Sequence, residues 1–111
     1  MTFPFFLSVV MPAYNEEKRL PQTLAEIRPY LDEQSWGYEV LIADDGSTDG
    51  TVEICQKAAR QWPQLKCLSG FGHAGKGATV KRGALAARGE WVLIMDADHA
   101  TPINTLNWML P

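Results

Sequence analysis

Four apolar runs along the chain each stop at a polar or glycine-rich cluster, and the stretches between them carry helical periodicity. Leu7 to Met11 is a continuous apolar run, as expected of a strand buried on both faces. Leu20, Leu24, Ile27 and Leu31 recur at helical spacing, with Pro21 tolerated in the first turn, whereas Pro29 is expected to kink or end that helix. Tyr38 to Ala43 reads as a second strand. A second helix follows, with Ser47 or Thr48 as its N-cap and a buried stripe of Val52, Cys55, Ala59 and Trp62. Lys66 to Ser69 is a short third strand, Ala78 to Arg88 a helix, and Trp91 to Met95 a strongly hydrophobic fourth strand. Thr101 and Pro102 open a final helix running through Trp108. Strands that alternate with helices predict an α/β domain with a mostly parallel sheet, flanked by helices and joined by right-handed crossovers.

In such sheets, ligands sit beyond the carboxyl ends of the strands, at the topological switch point. The segments after the four strands are PAYNEE (12–17), DDGSTDG (44–50), GFGHAGKG (70–77) and DADHATP (96–102). All four are therefore predicted to converge on one edge.

The third segment contains two nucleotide fingerprints. Gly70, Gly72 and Gly75 spell G-x-G-x-x-G, and Asp96 lies 21 residues beyond Gly75, about where a dinucleotide-binding domain keeps its ribose-binding acid. Gly70, Gly75 and Lys76 also spell most of a P-loop, but Gly77 stands where Ser or Thr would hold magnesium. Neither fits. The Rossmann fingerprint normally follows the first strand, whereas here two strand–helix units precede it. The glycines are read instead as letting backbone approach a ligand just before a helix.

Asp96 and Asp98 are two positions apart, so in extended backbone their carboxylates point the same way and suit a hard divalent ion, Mg2+ or Mn2+. His99 reads as an ordinary loop histidine. In DDGSTDG, Asp44 or Asp45 takes the ligand role, accepting hydrogen bonds from a base N–H and a ribose hydroxyl, while Ser47 and Asp49 shape the turn. PAYNEE supplies Tyr14 as an aromatic face and Glu16 as an acceptor, with Asn15 as the cap of a helix entry.

Bulk properties exclude several classes. A chain of 111 residues with 46% hydrophobic content makes one domain with a real core. A net charge of -3 argues against a broad nucleic-acid-binding face. Cys55 and Cys67 are too few for a disulfide framework and read as packed thiols. The apolar start lacks a basic region and a cleavage site, and no apolar run approaches the roughly 20 residues that span a bilayer. The chain reads as soluble and cytoplasmic.

Together SVVMPAYNEE, LIADDGSTDGT, GKGATVKRGALAARGEW and LIMDADHATP resemble, in order and spacing, the nucleotide-binding half of family 2 glycosyltransferases with the GT-A fold. Within that family the resemblance is to dolichyl- or polyprenyl-phosphate hexose synthases. It implies a Rossmann-like GT-A half over residues 1–111, truncated after the D-x-D strand. Pro12, Tyr14 and Glu16 would border the base and ribose of a nucleotide diphosphate sugar of the UDP-glucose or GDP-mannose type, and Asp44 or Asp45 would hydrogen-bond the base. Gly75, Lys76 and Gly77 would approach the donor, with Lys76 and Arg82 supplying positive charge. Asp96 and Asp98 would bind the catalytic metal that bridges the diphosphate.

The same resemblance implies an inverting, metal-dependent transfer of a hexose to a lipid phosphate or glycan. A lipid phosphate is already anionic and needs no general base, whereas an alcohol acceptor does. The family's catalytic domain is roughly twice this length, its remainder building the acceptor side and attachment to the cytoplasmic face of a membrane. A sheet cut at its fourth strand leaves an edge that invites self-association. The alternatives are a non-catalytic nucleotide-binding fragment and a sugar nucleotidyltransferase, although the glycine- and arginine-bearing loop of the latter is replaced here by PAYNEE.

Overall fold

Alternation along β1 (Phe5–Ala13) sends Leu7, Val9 and Met11 to one face of the sheet and Ser8 and Val10 to the other. The computed structural model describes residues 2–97; Asp98, His99 and the helix expected from Thr101 to Trp108 lie outside them. The elements follow in the order β1, α1 (Leu20–Asp32), β2 (Tyr38–Asp44), α2 (Thr51–Gln61), β3 (Leu65–Leu68), α3 (Lys76–Ala86) and β4 (Gly89–Ile94). All strand pairs are parallel, in the order β3-β2-β1-β4. In register, Leu7 lies between Tyr38 and Trp91, and Val10 between Leu41 and Ile94. The expected parallel α/β architecture is therefore observed.

Leu20, Leu24, Ile27 and Leu31 of α1 and Cys55 of α2 pack with Leu7, Val9, Met11, Val40 and Ile42 in the main core. The opposite face carries α3. Its Gly83 comes so close that a Cβ there would meet Val10 Cγ1 at 2.4 Å, so any side chain would lift the helix off the sheet. β2 is buried along its whole length, as a central parallel strand should be. β4 differs: although it is the most apolar strand in sequence, it lies at the sheet edge with Trp91, Val92 and Ile94 exposed.

Several local expectations are corrected. α1 runs through Pro29 to Asp32. The ring removes one amide donor in the last turn, but the Pro29 carbonyl still accepts the Glu33 N–H at 3.2 Å, and Leu31 is buried beyond it. Neither Ser47 nor Thr48 caps α2, whose N-cap is Gly50. Of the predicted stripe, Cys55 and Trp62 are buried, while Val52 and Ala59 are only half-buried and Thr51 takes the innermost place. α3 starts and ends two residues earlier than expected. The Arg88 N–H is claimed by the buried Glu39 carboxylate at 2.7 Å, and Ala87 is already extended. Cys55 and Cys67 are free thiols, as expected. Among the described residues no helix is long and apolar enough to cross a membrane.

A partly buried chain of hydrogen bonds ties α2 to α1. Trp62 Nε1 donates to Tyr38 Oη at 2.8 Å, and Tyr38 donates to Asp32 Oδ1 at 2.6 Å. Burial, reinforced by the bond to Asp32, pushes the Tyr38 phenol up to about 12 from an ordinary 10.0. The folded state therefore holds this proton more tightly than the unfolded chain. Its contribution to stability is complete below pH 10 and is lost as the pH rises through 12. Urea unfolding as a function of pH should show this loss, and Tyr38→Phe, which carries no proton there, should flatten it.

Candidate functional site

The four strand ends meet, and much of their geometry comes from hydrogen bonds between PAYNEE and the β2–α2 turn. The N–H groups of Asn15, Glu16 and Glu17 donate to Ser47 Oγ (2.9 Å), Thr51 Oγ1 (2.8 Å) and Asp49 Oδ2 (3.3 Å). In return, Asn15 Oδ1 accepts the Thr48 N–H at 2.8 Å and Glu17 Oε2 the Gly50 N–H at 3.0 Å. Asn15, at φ 52, thus serves the start of α2 rather than the entry of α1, which begins on the Glu16 carbonyl with the Leu20 N–H at 2.8 Å. Ser47 and Asp49 have the structural roles expected of them.

The two aspartates at the end of β2 are both buried but differ in placement. Asp44 closes its own turn, accepting the Gly46 and Ser47 N–H groups, each at 3.0 Å, and the Ser47 hydroxyl. Asp45 reaches across to the glycine loop. Its Oδ1 accepts Ala74 N–H at 2.7 Å and Gly75 N–H at 3.1 Å, its Oδ2 accepts Gly75 N–H at 3.1 Å, and His73 Nδ1 lies 3.1 Å from Oδ2. The Ala74 N–H foremost, with the Thr79 hydroxyl, Gly75 N–H and His73, holds the Asp45 carboxyl below its ordinary value against the effect of desolvation.

Gly70, Gly72 and Gly75 all adopt positive φ, a backbone conformation that favours glycine. The loop also touches PAYNEE, because the Tyr14 and His73 rings stack at 4.6 Å between centroids. Gly75 caps α3, and Lys76, the first helical residue, reaches over to the segment after β4, where Nζ donates to Asp96 Oδ1 at 2.8 Å. This pair is solvated, with side-chain exposures of 67% and 45%.

Between these groups opens a cavity of about 230 Å³ lined by Pro12, Ala13, Tyr14, Glu16, Asp45, Lys76, Thr79, Asp96 and Ala97. It lies where the carboxyl ends of β1 and β4 diverge, the point at which the strand order reverses. Six of the residues singled out in the sequence therefore line one cavity: Pro12, Tyr14, Glu16, Asp45, Lys76 and Asp96. Asp44, Gly75 and Arg82 do not. Asp44 serves the turn and Gly75 the helix cap, while Arg82 stacks on Phe71 with its guanidinium carbon 4.2 Å from the ring centre. Asp98 lies outside the described residues.

Ala13, Thr79, Ala97 and His73 were not anticipated. Thr79 was within reach of the sequence, since it stands one helical turn after Gly75 and bonds back to its carbonyl at 2.9 Å. Nothing in the sequence marked Ala13 or Ala97, which contribute small size and backbone.

Three carboxylates and one ammonium line the cavity, so its charge suits a cation before it suits an anion. Among the described residues, no three His, Cys, Asp or Glu side chains gather as a metal cage. That is compatible with Mg2+ or Mn2+ held by one or two carboxylates, with phosphate and water completing the shell.

A parallel sheet in this order, with a polar cavity at its switch point and an acidic strand end, belongs to the Rossmann-like GT-A class of nucleotide-sugar-binding folds. The chain belongs to glycosyl transferase family 2, whose family model matches residues 8–111. It is 44% identical over 104 residues to a dolichyl-phosphate beta-glucosyltransferase of Trichomonas vaginalis, a match covering 89% of this chain and 32% of that protein. Among solved structures it resembles the mannosyltransferase PcManGT of Pyrobaculum calidifontis in complex with GDP-Man and Mn2+. That match has a TM-score of 0.77 and 28% identity, covering 99% of this chain and 34% of the other. It also resembles S. aureus TarS in complex with UDP-GlcNAc, with a TM-score of 0.71 and 32% identity, covering 84% of this chain and 26% of the other. The chain thus spans about a third of the length of the curated relatives it matches.

Proposed function

We propose that this chain forms the donor-binding part of an inverting glycosyltransferase that moves a hexose from a nucleotide diphosphate sugar to a polyprenyl or dolichyl phosphate. The observation that carries the reading is the acidic cavity at the switch point. A diphosphate enters a space walled by Glu16, Asp45 and Asp96 only if a cation enters with it. Asp96, with Asp98 two residues on, is the candidate ligand pair. When bound, such a cation neutralises the negative charge that builds on the departing diphosphate.

The residues of the chain then divide the work. Pro12, Tyr14 and Glu16 border the base and ribose. Lys76 stands 2.8 Å from Asp96, so its ammonium lies within reach of the same diphosphate oxygens and orients them. The cavity is smaller than the about 300–1,000 Å³ of complete small-molecule sites, in keeping with a part that holds the nucleotide end of the donor. Attack on the sugar from the side away from the diphosphate inverts the anomeric carbon.

The names of the curated relatives support a glucosyl donor and a dolichyl phosphate acceptor. Action at the cytoplasmic face of a membrane, and pairing of copies along the exposed β4 edge, form part of the same reading.

Calorimetric titration with UDP and GDP, each with Mn2+ and with EDTA, tests the proposal. Binding of one nucleotide in Mn2+ alone is expected, and transfer to dolichyl phosphate by the same protein would establish the reaction. A well-folded chain that binds neither nucleotide would sink the donor-site reading. Binding without transfer fits both a nucleotide-binding module and the donor half of a longer enzyme, so transfer is the result that separates them.

A further inference from the structure

Asp45 is a charged side chain of the cavity wall that is anchored chiefly to the glycine loop. Its backbone N–H donates to the Ala13 carbonyl at 2.9 Å, which fixes it to the end of β1. Its carboxylate is buried, with the residue only 4% exposed. A carboxylate offers about four acceptor positions. Oδ1 receives Ala74 N–H and Gly75 N–H, and Oδ2 receives Gly75 N–H and faces His73 Nδ1. His73 Nδ1 also lies 3.0 Å from the Asp45 carbonyl oxygen. Set between two acceptors, that nitrogen carries the proton and donates. Three N–H groups thus converge on the carboxylate, Gly75 N–H shared between its two oxygens and His73 Nδ1–H shared with the Asp45 carbonyl, so a nucleotide base would have to compete with the loop for those oxygens.

The donors come from the last residues before α3. Gly75 caps that helix and Lys76 opens it, so whatever fixes Ala74 and Gly75 also fixes where Lys76 emerges. Resting on the donor-site reading above, we propose that Asp45 is a positioning residue for the diphosphate end of that site, holding the Gly70–Gly75 loop so that Lys76 faces Asp96, and that it does not read the base. The consequence for binding is specific. Loss of the Asp45 anchor weakens a ligand that has phosphates and no base as much as it weakens a whole nucleotide.

Asp45→Asn tests this with little change of shape, since the new amide group donates where the loop also donates. The probes are Mn2+–pyrophosphate and whichever of Mn2+–UDP and Mn2+–GDP the wild type binds, measured by calorimetry. Both affinities are expected to fall by the same factor, about tenfold or more. A loss confined to the nucleotide would show that Asp45 reads the base, and no loss at all would show that the loop holds without it; either overturns the proposal.

Amide hydrogen exchange in the wild type gives a second measurement, independent of the variant's folding and of any ligand. Ala74 and Gly75 lie outside every helix and strand, so slowed exchange there reports the bonds to Asp45. Exchange as fast as in an unstructured peptide would overturn the proposal whatever the variant does. If the wild type binds neither nucleotide while these amides are protected, the donor-site reading fails and the anchor stands.

Discussion

Gly46→Ala is expected to lower the stability of the chain by about 2–5 kcal/mol, a large share of what a small domain has. Two costs add. Gly46 sits at φ +78, where a side chain meets its own carbonyl, worth roughly 1–2 kcal/mol. A Cβ there would also stand 2.7 Å from the His73 nitrogen and 2.8 Å from the Gly72 carbonyl carbon. Both are backbone atoms and cannot rotate away, so the glycine loop itself must shift, at about 1–3 kcal/mol for such overpacking. Gly70→Ala is the control: it has φ +86 but nothing within 4 Å, so it should show the conformational cost alone. Urea midpoints for the two variants separate the terms. Equal losses would mean that the contact between the β2–α2 turn and the loop carries no energy.

Asp96→Ala should abolish the dependence of nucleotide binding on Mn2+. Removing a partner that merely orients a metal ligand costs about 10–100-fold in metal affinity, and removing the ligand itself costs at least the upper end of that range. The stability of the chain should hardly change, because the bond from Lys76 to Asp96 is a solvated pair of the kind worth about 0–1 kcal/mol. Calorimetry of the nucleotide in Mn2+ and in EDTA reads the change. Unaltered Mn2+ dependence would take Asp96 out of the metal site.

Much of the framework was legible because burial leaves a strong mark on sequence. The runs at Leu7–Met11 and Tyr38–Ala43 could only be interior strands, and the clusters that follow them had to come together once the sheet was parallel. The site was legible as a set of segments for the same reason: PAYNEE, the Asp44–Asp45 pair, Lys76 and Asp96 all follow strands. What the segments do with one another was not legible. Asn15 caps a turn 33 positions away, and Asp45 spends its charge on a loop 29 positions away; such bonds depend on tertiary approach. Local rules favoured Ser47 or Thr48 as the cap of α2, but the Asp44 carboxylate and Asn15 draw those residues into the turn instead. Arg82 shows the opposite limit. Its charge suggested a phosphate, whereas its position on α3 turns it toward Phe71.

The order of strands also sets an order of events. Ser8 meets Glu39 across an interval of 31 residues, but meets Gly89 across 81. Closing the longer loop costs more chain entropy before any contact repays it, so β1 pairs with β2 early and β4 is added late. Asp96 follows that late strand, whereas Pro12, Tyr14 and Asp45 lie at the ends of the early pair. The cavity therefore has a finished wall waiting for its other side. A donor molecule that bridges the two grips a contact absent from most of the folding route, so it prolongs the life of the native state without hastening its birth.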